Sequence, residues 1–323
     1  MPAAEPSPDL FIDHSLTEDL VDLGEIRINF ATLGSPEQPA LLLLPGQTES
    51  WWGYEAAMPL LAERFQVYAV DLRGQGRSTR TPGRYTLDNM GNDLVRFIDL
   101  VIARPTLVSG NSSGGLLAAW LAAYAKPAQI TGVVCEDPPF FASELQPACG
   151  QGLRQSIGPI FAVFHKWLGE QWSIGDWPGL QAAMPRELAP HVLRALVRMG
   201  IAGPPPAGGG EPPQNLKEYD PGWAGSFWSG AATAGCDHAE MLASVLAPVL
   251  ITHHYRELDP ATGSLMGAVA DQQVAYARAL ITAAGQPCEV IDLPEMVHSM
   301  HRHDPARFAD IITTWASSTI GAA

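Results

Sequence analysis

The sequence predicts an α/β protein: a mostly parallel central sheet with helices on both faces and an inserted helical cap. Three observations carry this. Short apolar runs recur between turn residues, helix-like stretches alternate with them, and the alternation lapses between residues 140 and 242 before resuming.

The runs in the first half are 25–31, 40–44, 65–70, 105–109 and 132–135. The last four are continuously apolar rather than alternating, as strands buried on both faces are. Helix-like stretches lie between them at 54–64, 87–102 and 114–125. Residues 140–242 contain no clear buried strand but hold Trp167, Trp172, Trp177, Trp223 and Trp228, five of the nine tryptophans, which marks an apolar helical cap. Within it the run GPPPAGGGEPP at 203–213 is read as a loop, because proline removes donors and glycine adds backbone entropy. Core-like strands return at 248–252 and 288–293, with helices at 271–284 and 305–315. The expected division is a core of 1–139 and 243–323 and a cap of 140–242.

Composition narrows the function classes. With 46% hydrophobic and 16% charged residues among 323, the chain can bury a large core. A net charge of −15 with only 19 Lys and Arg argues against a nucleic-acid or anionic-membrane partner, which would require a basic patch. The N-terminus lacks a basic segment followed by an apolar one, and no apolar run reaches the roughly 18 residues of a membrane span. Four scattered cysteines, Cys135, Cys149, Cys236 and Cys288, spell no C-x-x-C pair and suit a reducing compartment. A cytoplasmic protein is expected, and a homodimer is one assembly compatible with it.

The chemistry centres on Gly110-Asn-Ser-Ser-Gly114, placed between a buried strand and an Ala/Leu-rich helix. A strand-turn-helix frame turns G-x-S-x-G into a nucleophile elbow: the sharp turn needs small neighbours, and the helix start offers free N–H groups. Ser112 is the expected nucleophile. Ser113 is its rival, and its backbone N–H is the expected oxyanion donor. A second donor is expected from the loop after the strand 40–44, where Gln47 follows Gly46.

A serine hydroxyl needs a base, and in such a frame a histidine follows the last strand. His298 fits that position, with His301 and His303 as rivals. The cluster lacks the spacing of a zinc site, so no metal or cofactor is expected. The orienting acid has three candidates: Asp137 and Glu136 after the strand 132–135, and Asp259 after the strand 248–252. The segment Asp71-Leu-Arg-Gly-Gln-Gly-Arg-Ser78 carries Thr79 where a third phosphate-binding glycine would stand, and is read as a demanding βα loop.

Together these motifs resemble the α/β-hydrolase superfamily. More closely, PALLLLPGQTESWWGYE, VDLRGQGRS, LDNMGNDLVRFI, GNSSGGLLAAWLAAYA, CEDPPFFASEL, QWSIGDW, PPQNLKEYDPGW and HSMHRHDPARFADI are similar to segments of the bacterial zearalenone lactonases. The resemblance spans core and expected cap; the run 203–213 is not shared. It implies hydrolysis of the resorcylic macrolactone zearalenone, an apolar small-molecule substrate, and an acid drawn from Cys135-Glu136-Asp137. A large apolar substrate calls for an aromatic pocket. Beside Gly46, the candidate wall is Trp51, Trp52, Phe140, Phe141, Trp223 and Trp228. A generic carboxylesterase, a cofactor-free haloperoxidase and a non-catalytic small-molecule receptor are the competing readings.

Overall fold

The computed structural model describes residues 10–169, 175–202 and 210–321. Its strands are β1 (Glu18–Asp22), β2 (Arg27–Leu33), β3 (Ala40–Leu44), β4 (Gln66–Val70), β5 (Thr106–Asn111), β6 (Ile130–Glu136), β7 (Val249–His253), β8 (Arg256–Leu258), β9 (Leu265–Gly267) and β10 (Cys288–Asp292). The helices are α1 (Met58–Leu61), α2 (Leu87–Phe97), α3 (Ser113–Tyr124), α4 (Pro159–Trp167), α5 (Trp177–Glu187), α6 (Pro190–Arg198), α7 (Gln214–Lys217), α8 (Pro221–Ser229), α9 (His238–Ala243), α10 (Asp271–Ala283), α11 (Met300–His303) and α12 (Pro305–Thr319).

Eight strands form one sheet in the order β1-β2-β4-β3-β5-β6-β7-β10. From β4 to β10 every pairing is parallel, while β1 and β2 join antiparallel at one edge. The central strand β3 explains the layering. Its side chains alternate between faces: Leu41 and Leu43 pack with α1 and α12, and Ala40, Leu42 and Leu44 pack with α2, α3 and α8. All five are buried, and burying each leucine is worth roughly 1.5–3 kcal/mol.

Between β6 and β7 the regular elements of the described chain are all helices. Only part of it forms its own small core: Ile160, Val163, Leu168, Leu180, Leu188, Val192, Leu196 and Leu216. Trp223, Phe227, Met241 and Leu242 belong instead to the main core against α3. Trp172 and residues 203–209 of the Pro/Gly run lie outside the described residues; 210–213 lead without regular structure into α7.

Three elements differ from expectation. Strand β1 is half-exposed and acidic, so no apolar run announces it, yet it pairs residue for residue with β2. The expected helix 54–64 is a 3₁₀ turn, Trp51–Tyr54, followed by the single turn α1, because Pro59 is tolerated only in a first helical turn. The small hairpin β8-β9 is too short to register in the sequence.

The Asp71 segment is a structural loop. Asp71 Oδ1 accepts from the Trp51 N–H at 2.9 Å, and Oδ2 accepts from Asn29 Nδ2 at 2.8 Å and the Arg77 N–H at 3.1 Å. Gly76 has φ +47°, and a Cβ there would stand 1.9 Å from Asp71 Oδ2. Arg73 makes a buried two-pronged bond to Asp93 at 2.7 and 2.8 Å, which ties the loop to α2.

Helices α2 and α3 touch closely enough to exclude a methyl group at Gly91, where a Cβ would lie 2.2 Å from the Trp120 ring. Gly91→Ala should therefore destabilise the fold by about 1–3 kcal/mol, seen as a lower urea midpoint at unchanged m-value.

Candidate active site

The site is assembled at the C-terminal ends of the parallel strands, where loops converge above the sheet. Strand β5 ends at Asn111 and α3 begins at Ser113, which leaves Ser112 alone at the corner with φ +53° and ψ −119°. A non-glycine residue held there carries strain on the order of 1–3 kcal/mol, so its surroundings must enforce it. They do so through backbone: the Ser112 N–H donates to Glu136 O at 2.8 Å, and Ser112 O accepts from the Gly115 and Leu116 N–H groups. A Cβ at Gly110 would lie 2.1 Å from Gly114 O, and one at Gly114 would lie 2.2 Å from Leu44 O. Gly46 closes the corner from the other side: its Cβ would meet Asn111 Oδ1 at 2.7 Å and Ser112 Cβ at 3.2 Å. Gly46 is thus required by close approach and does not border the cavity.

Two N–H groups beside Ser112 are free to bind an anion. Ser113 occupies the first position of α3, where no intrahelical partner exists and the helix dipole adds positive potential. The Gln47 N–H donates to no acceptor among the described residues. Gln47 sits in a tight turn closed by the Glu49 N–H to Gly46 O at 3.3 Å, with Thr48 at φ +63°. The turn is pinned by Gln75 Nε2 donating to Gly46 O at 2.6 Å, and the Gln47 carboxamide donates to Tyr219 Oη at 2.8 Å. Gln47, Ser112, Ser113 and His298 border one cavity.

His298 follows β10, and its Nδ1–H donates to Asp137 Oδ2 at 2.6 Å. That bond fixes the tautomer, so the neutral ring presents an unprotonated Nε2, as a general base would need. The other Asp137 oxygen accepts from the His254 N–H at 3.2 Å. Burial alone would raise the Asp137 carboxyl, but the His298 bond and the charges of His254, His298 and His253 hold it below its ordinary value. Burial would lower His298, but the Asp137 bond with the charges of Asp137, Glu49 and Glu136 raises it instead.

Glu136, the neighbouring candidate acid, turns elsewhere. Successive residues at a strand end point to opposite sides. Glu136 is fully buried and accepts from the His301 N–H and from His301 Nδ1 at 3.1 and 3.0 Å. Asp137, just past the strand with φ +44°, faces His298. Asp259 is not near either histidine bond: it caps a turn through the Ala261 and Thr262 N–H groups and pairs with Arg194. The histidines divide likewise, His298 with Asp137 and His301 with Glu136; no bond of the His303 ring enters this site.

Two further residues hold the site and were not singled out from sequence. Asn111 Nδ2 donates to His298 O at 2.9 Å, so the residue before Ser112 anchors the loop of His298. His254 Nδ1–H donates to Val297 O at 2.8 Å while its Nε2 accepts from Thr252 Oγ1, buttressing the same loop. No pattern in the sequence marked either, because both act through backbone carbonyls brought close by the fold.

The cavity is lined on its apolar side by Pro139, Ala142, Leu153, Ile157, Phe161 and Phe227, and measures about 30 Å³. The six aromatic candidates do not border it. Trp51, Phe140, Phe141 and Trp223 are fully buried in the cores; Trp52 Nε1 donates to Glu218 at 3.0 Å; Trp228 lies under Arg154. Sequence reasoning picked the largest aromatic residues, and core packing claims four of the six. The lining comes instead from the segment after β6 and from α4 and α8, whose approach no local pattern encodes. A larger open groove between α1 and α12 contains none of these groups. Among the described residues no group of three or more His, Cys, Asp or Glu side chains is disposed to hold a metal ion, and no helix is long and apolar enough to cross a membrane.

Sheet order and the tight turn at Ser112 together give the α/β-hydrolase fold. Residues 39–168 match the family model described as alpha/beta hydrolase fold. The chain is 32% identical over 121 residues to bifunctional epoxide hydrolase 2 of Sus scrofa, covering 36% of this chain and 21% of that protein. It is 30% identical over 107 residues to 3-oxoadipate enol-lactonase 2 of Acinetobacter baylyi, covering 32% and 39%. It therefore spans well under two thirds of the length of these curated relatives. The solved enol-lactonase from Burkholderia xenovorans LB400 superposes with a TM-score of 0.62 at 17% identity, over 92% of this chain and 99% of that one, a likeness of fold.

The geometry separates the two acids. Asp137→Asn should lower kcat by on the order of 10⁴-fold, since it leaves His298 in the wrong tautomer. It should also bring the acid limb of kcat/KM down from its raised position, because burial is then opposed only by the charges of Glu49 and Glu136. Glu136→Gln should retain far more activity; steady-state ester hydrolysis against pH compares them.

Stability should also depend on pH through the second pair. Burial alone would raise Glu49, but His301 and Arg302 hold it at about 2 against an ordinary 4.5, so its stabilisation is present above pH 4.5 and lost as pH falls toward 2. Burial would lower His301, but the Glu136 and Glu49 charges raise it from 6.5 to about 9, so its contribution is complete below pH 6.5 and lost as pH rises through 9. Urea midpoints measured across pH should fall on both flanks, and Glu49→Gln should flatten the acid one.

Proposed function

We propose that this protein is a serine hydrolase that opens the ester bond of a lactone, with Ser112, His298 and Asp137 as its triad. The observation that carries this is Ser112 held at positive φ beside two unengaged N–H groups, on a cavity shared with the base His298. Ser112 Oγ attacks the acyl carbon while His298 Nε2 takes its proton, and Asp137 stabilises the imidazolium. The Ser113 and Gln47 N–H groups receive the developing oxyanion; loss of one such donor typically lowers kcat by on the order of a hundredfold. His298 returns the proton to the leaving oxygen, which stays tethered to the acyl chain when the ester is cyclic. Water, deprotonated by the same base, then releases the acid.

An epoxide is a poorer match. Serine attack on an epoxide carbon would leave an ether, which the same base and oxyanion site cannot hydrolyse. An acyl-enzyme ester can be, and this favours the lactonase similarity over the epoxide-hydrolase one.

The resemblance to zearalenone lactonases supplies the particular substrate: a resorcylic macrolactone, bound beneath helices α4–α8 acting as a cap. The apolar lining from Leu153, Ile157, Phe161 and Phe227 suits such a ring. A second reading is favoured by the cavity volume, since about 30 Å³ is far below the roughly 300–1,000 Å³ that holds a drug-sized ligand. A small ester or lactone fits without rearrangement, whereas a macrolactone requires the helices to part.

Purified protein incubated with zearalenone and a metal chelator should yield the ring-opened acid by mass spectrometry, and Ser112→Ala should yield none while unfolding normally. Turnover of short p-nitrophenyl esters without macrolactone opening would select the small-substrate reading. Unimpaired turnover by the alanine variant would sink the triad.

A further inference from the structure

Three loops must keep register for the proposed chemistry: the turn 46–49 with its oxyanion donor, the end of β6 with the acid, and the segment 298–302 with the base. The triad bond joins only the last two. A separate buried cluster joins all three.

At its centre is His301, fully buried. Its Nδ1–H donates to Glu136, and its Nε2 lies 3.4 Å from Glu49 Oε2, within ion-pair range though not aligned as a hydrogen bond. Glu49 in turn reaches into both loops. Its Oε2 accepts from the Gly46 N–H at 3.4 Å, and its Oε1 accepts from Ser299 Oγ, the residue after His298, at 2.8 Å. The remaining neighbours are Arg302, 3.7 Å from Glu49 Oε1, the Tyr54 ring stacked 4.2 Å over His301, and the Phe308 ring edge-on at 5.8 Å. Tyr54 donates to Leu44 O at 2.8 Å, which fastens the stack to the end of β3. Two carboxylates and one imidazolium, with Arg302 at the half-exposed rim, make up its charge.

We propose that Glu49, His301 and Glu136 form a positioning network for the serine-hydrolase reaction, holding the oxyanion turn and the base loop against the end of β6 and setting the charge felt by His298. The inference rests on the roles given above to Ser112 and His298. It separates from a role in stability alone by sign. Glu49 and Glu136 favour protonated His298, and the His301 cation opposes them. Glu49→Gln removes a negative charge and should lower the pH at which His298 titrates. His301→Gln removes a positive charge and should raise it.

The test uses the full chain with p-nitrophenyl butyrate as probe. Both variants should lower kcat by roughly tenfold or more with KM little changed, as misplacement of reacting groups does. Their acid limbs of kcat/KM should move in opposite directions. Imidazole NMR titration of His298 should follow the same two shifts without any turnover, so it remains readable if the ester is not a substrate. If His301→Gln does not fold, Glu49→Gln and Glu136→Gln must both move the His298 titration downward. Shifts of one sign for opposite charge changes, or lowered melting temperatures with the His298 titration unmoved, would overturn the proposal.

Discussion

The corner at Ser112 constrains everything around it. Its positive φ is tolerable only because the chain on every side approaches within contact of bare glycine backbone: Gly110 against Gly114, Gly114 against Leu44, and Gly46 against Asn111 and Ser112. That crowding carries the end of β3 to the end of β5. The same approach brings Gln47 and Ser113 to the edge of one cavity. The proposed nucleophile and anion site are thus one packing event, set by residues that lack side chains.

The second organising feature is a pair of histidine–carboxylate bonds on adjacent residues. Glu136 and Asp137 leave the end of β6 in opposite directions and capture His301 and His298. A buried carboxylate without a partner would be strongly unfavourable, so each acid demands its histidine. The segment 298–301 is held at two points as a result. Asn111 and His254 add backbone anchors at His298 and Val297. The loop of His298 is therefore fixed from β5, β6 and β7 together, which suits the proton-transfer role proposed for it.

The inserted helices are joined to this core unevenly. Residues 214–223 are bound to it through Tyr219 to Gln47, Asn215 to Thr48 O, and the Asp220 N–H to Gly74 O. Helices α4, α5 and α6 share a small core of their own, and α6 is tied to the rest by the His298 N–H donating to Met199 O at 2.9 Å, by Arg194 pairing with Asp259, and by Ala195 and Met199 packing with Tyr255, Met266 and Ala268.

Much of this was legible in the chain. Continuous apolar runs gave the parallel strands, because a strand covered on both faces needs apolar residues at every position. The glycine spacing gave the elbow, because no other residue survives those approaches. Chain order brought His298 forward, and the acid was narrowed to two neighbours. The sequence alone could not choose between Glu136 and Asp137, since the choice depends on where a strand ends and which way its last side chains turn. Nor could it tell core tryptophans and phenylalanines from pocket walls, because both are apolar and aromatic and only packing separates them. The Glu49–His301–Glu136 cluster draws on residues up to 252 positions apart in the chain, and distances of that kind are decided by tertiary structure alone.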